Sequence, residues 1–326
     1  MNKYLNIRNY FEYVFIKLYK FVSPFIRKWE QKYISKYGSQ PLKHQPVFII
    51  GAPRTGSTIL YQTLTNQLDV LYIDNLVCKF YRNSFFGFWL SNKLFEKKAH
   101  NCFKSNHGDT SECGLHAPSE CGGFWYRWLP TDRHFIDYDD ITDKMIEQIR
   151  QEITTIINYF DKPLIFNNNN AGLRIRLLQK CFPNAKYIVA DREPLFVAQS
   201  LLKARKIFYH SYDTWWSIMP KNYNDIIKEP YYKQVVLQHY LINKQIYADL
   251  NELVGKSFHL TILYKKFTAD KKETIKNIVN LINYNNYRKS FCDNKVYQSK
   301  KINLDRELLS LIKNEIERLD WDDYKS

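Results

Sequence analysis

The segment Gly51-Ala-Pro-Arg-Thr-Gly-Ser-Thr58 carries the most specific chemical signal in the chain. It follows the apolar run Val47-Phe48-Ile49-Ile50 and precedes Leu60, Leu64 and Leu68 at helical spacing, so it stands where a strand turns into a helix. At such a junction consecutive backbone N–H groups and the helix N-terminus converge on one point, which is a cradle for an anion. The two glycines, Gly51 and Gly56, and Thr58 match the triphosphate loop G-x-x-x-x-G-K-[ST], but Ser57 stands where that loop has the lysine that reaches the β- and γ-phosphates. A ligand with a single 5'-phosphate bearing a transferable group needs no such lysine, and Arg54, inside the loop, is placed to face the bridging oxygen. A second concentration of reactive side chains is the segment 107–130, HGDTSECGLHAPSECGGFWYRWLP, within a region from 74 to 135 that has no clean period. Such a stretch builds a pocket or lid.

The elements that must position these residues alternate. Apolar runs at 47–50, 70–73, 164–166, 187–190 and 260–263 read as strands, and amphipathic patterns over 141–160, 172–181, 195–206, 231–254, 272–283 and 304–319 read as helices. The alternation predicts an α/β fold, a parallel β-sheet with helices on both faces. In such sheets ligands bind beyond the carboxyl ends of the strands, where both the glycine loop and Asp191-Arg192-Glu193-Pro194 fall. No repeat or low-complexity linker divides the chain, so residues 46–326 read as one domain behind a basic, aromatic extension over 1–45.

With these motifs in order, the chain resembles the sulfotransferases that use 3'-phosphoadenosine-5'-phosphosulfate (PAPS). GAPRTGSTIL looks like their 5'-phosphosulfate loop, which puts Arg54, Thr55, Gly56, Ser57 and Thr58 around the donor. KYIVADREPLFVAQSLLKAR looks like their 3'-phosphate motif, in which an arginine after a strand and a serine in the next helix grip the phosphate; here these are Arg192 and Ser200. A planar guanidinium and a hydroxyl one turn into a helix suit that task on their own terms. The stretch LTILYKKFTADKKETIKNIVNLI is similar to a late strand, turn and helix of the family and implies that Tyr264 lies near the adenine. The resemblance covers roughly residues 46–285. An Arg-Lys-Gly segment that completes the 3' site in many cytosolic members is missing, with Lys300 or Lys301 as candidate substitutes.

The implied reaction is transfer of a sulfuryl group from PAPS to an acceptor hydroxyl or amine by in-line displacement, releasing adenosine 3',5'-bisphosphate. It needs a base for the acceptor and a cation for the departing phosphate oxygen. Arg54 supplies the cation. Glu120 is the first candidate for the base, on the expectation that Phe124, Trp125, Tyr126 and Trp128 desolvate it and raise its pKa toward neutrality. His116 is the second, with Glu112 and His107 behind. The bland readings are that Glu120 caps a helix or pairs with Arg127 and that the aromatics are core. Cys113, His116 and Cys121 fit no structural zinc spacing, and the reaction requires no metal.

The formal charge of +15 implies an anionic partner without choosing one. No nucleic-acid motif is present, so nucleic acid is not expected; the acceptor is read as a small molecule, a glycan or a lipid headgroup. Much of the charge sits in the extension, where Met1–Lys43 holds nine Lys or Arg against Glu12 and Glu30, a net of +7. Tyr4, Ile7, Phe11, Val14, Leu18, Phe21 and Phe25 recur at helical spacing, with Pro24 expected to kink or split the helix. The ordinary reading of residues 1–38 is a helix packed on the main domain; the sharper one is an interfacial helix on an anionic membrane. The six cysteines form no CxxC pair, which makes reduced thiols the expectation. No apolar run spans a bilayer and no signal core is visible, so the expected location is the cytoplasm; peripheral membrane contact belongs to the sharper reading of the extension, and the packed helix is the preferred one. Two other functions compete: a nucleotide-dependent kinase, because Tyr187–Asp191 imitates a Walker B strand, and a non-catalytic polyanion-binding protein.

Overall fold

The computed structural model describes residues 3–96, 98–288 and 301–322. Five parallel strands, β1 (Val47–Ile50), β2 (Leu71–Tyr72), β3 (Leu164–Asn167), β4 (Lys186–Asp191) and β5 (His259–Leu263), form one sheet in the order β2-β3-β1-β4-β5. Every residue of β1 and β3 is buried, as expected of strands covered on both faces. Alternation within β1 divides the core: Phe48 and Ile50 join the layer beneath the helices Asp143–Phe160, Ile175–Cys181 and Tyr231–Leu253, whereas Val47 and Ile49 join the layer beneath α2 (Ser57–Gln67) and the helix Lys271–Ile282. On the first face Phe48 stacks on Phe166 at 5.2 Å and Tyr187 at 5.7 Å, fixing β1 between its neighbours.

Two expectations about segments need correction. The N-terminal helix α1 runs unbroken from Lys3 to Tyr37 with Pro24 inside it. Pro24 and Lys20, whose carbonyl loses its helical partner to the proline, are both exposed on this surface helix, so water can satisfy what the ring removes. The cysteines are not all free thiols: Cys78 bonds Cys121 and Cys102 bonds Cys113, with Cα atoms 5.6 Å and 5.8 Å apart. Partners 43 and 11 residues apart are brought together by the fold, and local spacing carries no mark of them. Cys181 is free and buried, and Cys292 lies outside the described residues. No helix among the described residues is long and apolar enough to cross a membrane.

Candidate active site

The register of β1 against β4 pairs Ile50 with Val189, so the glycine loop and the Arg192 turn leave the sheet side by side. The approach is close enough to dictate residue type. Gly51 has φ 146°, and a Cβ there would lie 2.4 Å from the Ala190 carbonyl oxygen. Gly56 has φ 94°, and its Cβ would fall 2.3 Å from Cδ2 of Tyr264, whose ring covers the loop. Thr55 ties the loop to itself by donating to the Ala52 carbonyl at 2.8 Å, and Ser57 donates to Asn169 Oδ1 at 3.1 Å.

A cavity of about 230 Å³ opens here, lined by Arg54, Gly56, Ser57, Thr58, His107, Gly108, Glu120, Asn169, Arg192, Trp216 and Tyr264 among others. Two guanidiniums face it. Arg54 Nε donates to Ser200 Oγ at 2.9 Å, and Arg192 lies over the Tyr264 ring at 4.6 Å. Burial pushes both below the ordinary arginine value; Glu120 pulls Arg54 back up while Arg192 adds to its depression. Among the described residues the buried Arg192 Nε has no hydrogen-bond partner, a donor suited to an incoming anion. Beyond Arg192 and Tyr264, which line both spaces, a more apolar groove of about 630 Å³ runs past Pro194, Leu263, Ile316 and Trp321.

Opposite the loop stands Glu120. Its Oε1 accepts from Thr58 Oγ1 at 3.2 Å and from Asn167 Nδ2 at 3.4 Å, and its backbone carbonyl accepts from Asn168 Nδ2 at 3.2 Å. The residue is half-buried by surface, reached through the cavity, and burial raises its pKa to about 7 against the opposing pull of Thr58, Arg54 and Asn167. The aromatic cluster is not what surrounds it. Phe124 and Trp125 are buried in the core against Phe166, and Arg127 pairs with Glu152 at 2.7 Å. The helix Gly122–Trp125 turns these rings away, so Thr58, Asn167 and the Gly108 backbone form Glu120's surroundings.

The other candidates separate. His107 lines the cavity, edge-on to Phe208 at 5.1 Å and Trp216 at 5.9 Å, and burial, then Arg54 and Lys203, hold its pKa below the ordinary value. His116 does not line it: Nδ1 lies 3.2 Å from Asp74 Oδ2, Nε2 lies 2.8 Å from the Lys98 carbonyl oxygen, and the ring stacks on Phe95 at 4.1 Å. Glu112 is exposed in a 3-10 turn. Asp191, the Walker B imitator, accepts from the Arg192 backbone N–H at 2.8 Å and sits 3.7 Å from His239. The Lys301 carbonyl accepts from Gln199 Nε2 at 3.2 Å; Lys300 lies outside the described residues. Among the described residues no cluster of His, Cys, Asp and Glu has the makings of a metal site.

Asn167, Asn169 and Trp216 went unread in the sequence. The run Asn167–Asn170 had one usable signal: it begins at the carboxyl end of β3, where sheets of this kind place ligand contacts. Trp216 follows a long helix in irregular chain and gave none.

A family model described as "Sulfotransferase family" matches residues 46–287. No curated protein matches the chain. Among solved structures, sulfotransferase STF9 from Mycobacterium avium is 14% identical, with 90% of this chain and 72% of that one covered and a TM-score of 0.49. Sulfotransferase STF1 from Mycobacterium tuberculosis is 13% identical over 85% and 77% of the two chains, TM-score 0.48. A sulfotransferase from Alicyclobacillus acidocaldarius is 13% identical over 86% and 99%, TM-score 0.43.

Proposed function

Since the chain belongs to the sulfotransferase family, we propose that it transfers a sulfuryl group from PAPS to an acceptor hydroxyl or amine, with Glu120 as the base and Arg54 as the cation beside the departing phosphate. The observation that carries this reading is the meeting, in one cavity, of a lysine-less phosphate cradle and a carboxylate poised near neutrality. The loop N–H groups, Thr55, Ser57 and Thr58 would hold the 5'-phosphosulfate. Arg192 and Ser200 would hold the 3'-phosphate, with the adenosine in the groove beyond Tyr264. The fit is supported by the Arg192 Nε, which has no hydrogen-bond partner among the described residues, and by Gly56, over which the Tyr264 ring packs too closely for a side chain.

In the transfer, the acceptor oxygen or nitrogen forms its bond to sulfur from the side opposite the bridging oxygen as the bridging S–O bond breaks. The electron pair of that bond goes to the 5'-phosphate, and the acceptor proton goes to the Glu120 carboxylate. Arg54 and the start of α2 stabilise the charge gained by the phosphate, a preorganised electrostatic contribution made where charge develops. Thr58 and Asn167 aim the carboxylate. Because Arg54 is hydrogen-bonded to Ser200, the cationic site and the 3'-phosphate site are mechanically linked.

The test is an assay with PAPS labelled in its sulfur, run in EDTA against a panel of phenols, sugars, amines and lipid headgroups. Label appearing on an acceptor without magnesium supports the reading. A protein that instead transfers phosphate from ATP only when magnesium is supplied is a kinase, and the reading fails.

A further inference from the structure

Helix α1 has two sides of opposite character. One side is committed to the domain. Tyr19 and Ser23 donate to Asn83 Oδ1 at 2.8 Å and 2.6 Å, and Trp29 and Tyr33 pack on Phe85 at 5.7 Å and 4.7 Å. Glu30, fully buried, accepts from Asn83 Nδ2 and the Phe86 backbone N–H, each at 2.9 Å. The other side presents Leu18, Phe21 and Phe25 at 62%, 74% and 69% exposure. A single exposed leucine is ordinary; three large apolar side chains on successive turns form a patch that calls for an occupant. At the helical angle per residue they fall within about 60° of one another.

Charge says what the occupant is. Lys17 and Lys28 border one edge of the stripe, Lys32 continues its line about two turns past Phe25, and Lys20 lies about 100° round from Phe21, all exposed. The Glu30 side chain faces the domain and not the stripe, and no acid falls between Leu18 and Phe25 in the sequence. The spacing of the stripe continues in the sequence through Val14, Phe11, Ile7 and Tyr4. An apolar band with lysine flanks and no acid is complementary to a surface of acyl chains beneath anionic headgroups. We propose that this side of α1 docks on an anionic lipid bilayer, with Leu18, Phe21 and Phe25 entering the boundary between headgroups and acyl chains. The Glu30 side remains fixed to the domain, so docking leaves the core packing untouched. The helix lies on the surface.

The experiment is flotation of the full chain with vesicles of phosphatidylcholine alone and of phosphatidylcholine with phosphatidylglycerol, a readout that needs no sulfotransfer. The wild type is expected to float with the anionic vesicles and to be released by added salt. A Leu18→Ser, Phe21→Ser, Phe25→Ser variant is expected to bind about tenfold more weakly or worse with an unchanged melting curve, since all three side chains are exposed. A wild type that stays behind, or a triple variant that floats as well, overturns the proposal. So does a wild-type dimer, seen by light scattering, that the triple variant dissolves, because the stripe then belongs to a second copy.

Discussion

Around the cavity, the wall proposed to hold the donor and the wall proposed to face the acceptor, called below the donor wall and the acceptor wall, are held in different ways. Gly51–Thr58 and Arg192 hang directly from β1 and β4, whose pairing leaves little freedom in where the two turns point. Glu120, His107 and Gly108 come from irregular chain between 98 and 121, fixed by two disulfides, by Asn168 on the Glu120 carbonyl and by Thr58 on its side chain. The donor wall is a property of local sequence on a sheet. The acceptor wall exists because distant residues, Cys78, Asn167 and Thr58, close on it. Perturbations should therefore act on binding at one wall and on proton transfer at the other.

The largest expected effect is at the acceptor wall. Glu120→Gln removes the proposed base and should lower turnover by about 10²- to 10⁴-fold, with bisphosphate affinity near that of the wild type. In the wild type the base works only when deprotonated. With its pKa raised to about 7, kcat/KM should rise with pH through that value and lose this limb in Glu120→Gln, as a pH-rate series will show. Equal loss of nucleotide binding would mean that the two walls are not separable.

Gly56→Ala attacks the donor wall. A Cβ at φ 94° would meet the Tyr264 ring at 2.3 Å, so calorimetry should find weaker bisphosphate binding and a stability loss of about 1–3 kcal/mol. Smaller still is Asn167→Ala. The amide donates to Glu120 Oε1 and favours its charged form, so its removal should raise the Glu120 pKa and move the acidic limb of the pH profile upward by up to about one unit. The smallest is His116→Ala: away from the cavity and engaged with Asp74, it should leave turnover within about twofold of the wild type while lowering the melting temperature. If His116→Ala abolished turnover and Glu120→Gln did not, the identity of the base would be reversed.

How much of this was legible follows the same division. The five strands, the parallel sheet and the loop–Arg192 pair were readable because buried strands print continuous apolar runs and glycines mark where backbone must approach backbone. Glu120 was readable as a candidate by its residue type and its place in the acid- and histidine-rich segment, but the reason offered for its raised pKa was not the one the fold provides. Aromatics next to it in sequence turn into the core, while Asn167 and Thr58, 47 and 62 residues away, do the orienting. His116 and Glu120 looked alike on paper; which one enters the cavity depends on the path of chain between the two disulfides. Pro24 misled because a helix-breaking residue is harmless on the solvent side of a helix whose other side is anchored through Glu30 and Tyr33.

The central claim is that the donor wall is a site for adenosine 3',5'-bisphosphate and its sulfated form. Isothermal titration of the protein with the bisphosphate in EDTA, repeated with Arg192→Ala, tests it most directly. The account predicts metal-independent binding that the variant weakens by about ten- to a hundredfold, the worth of a charge-assisted phosphate contact. Absence of binding by the wild type, or binding indifferent to Arg192, alongside magnesium-dependent binding of ATP, would contradict it.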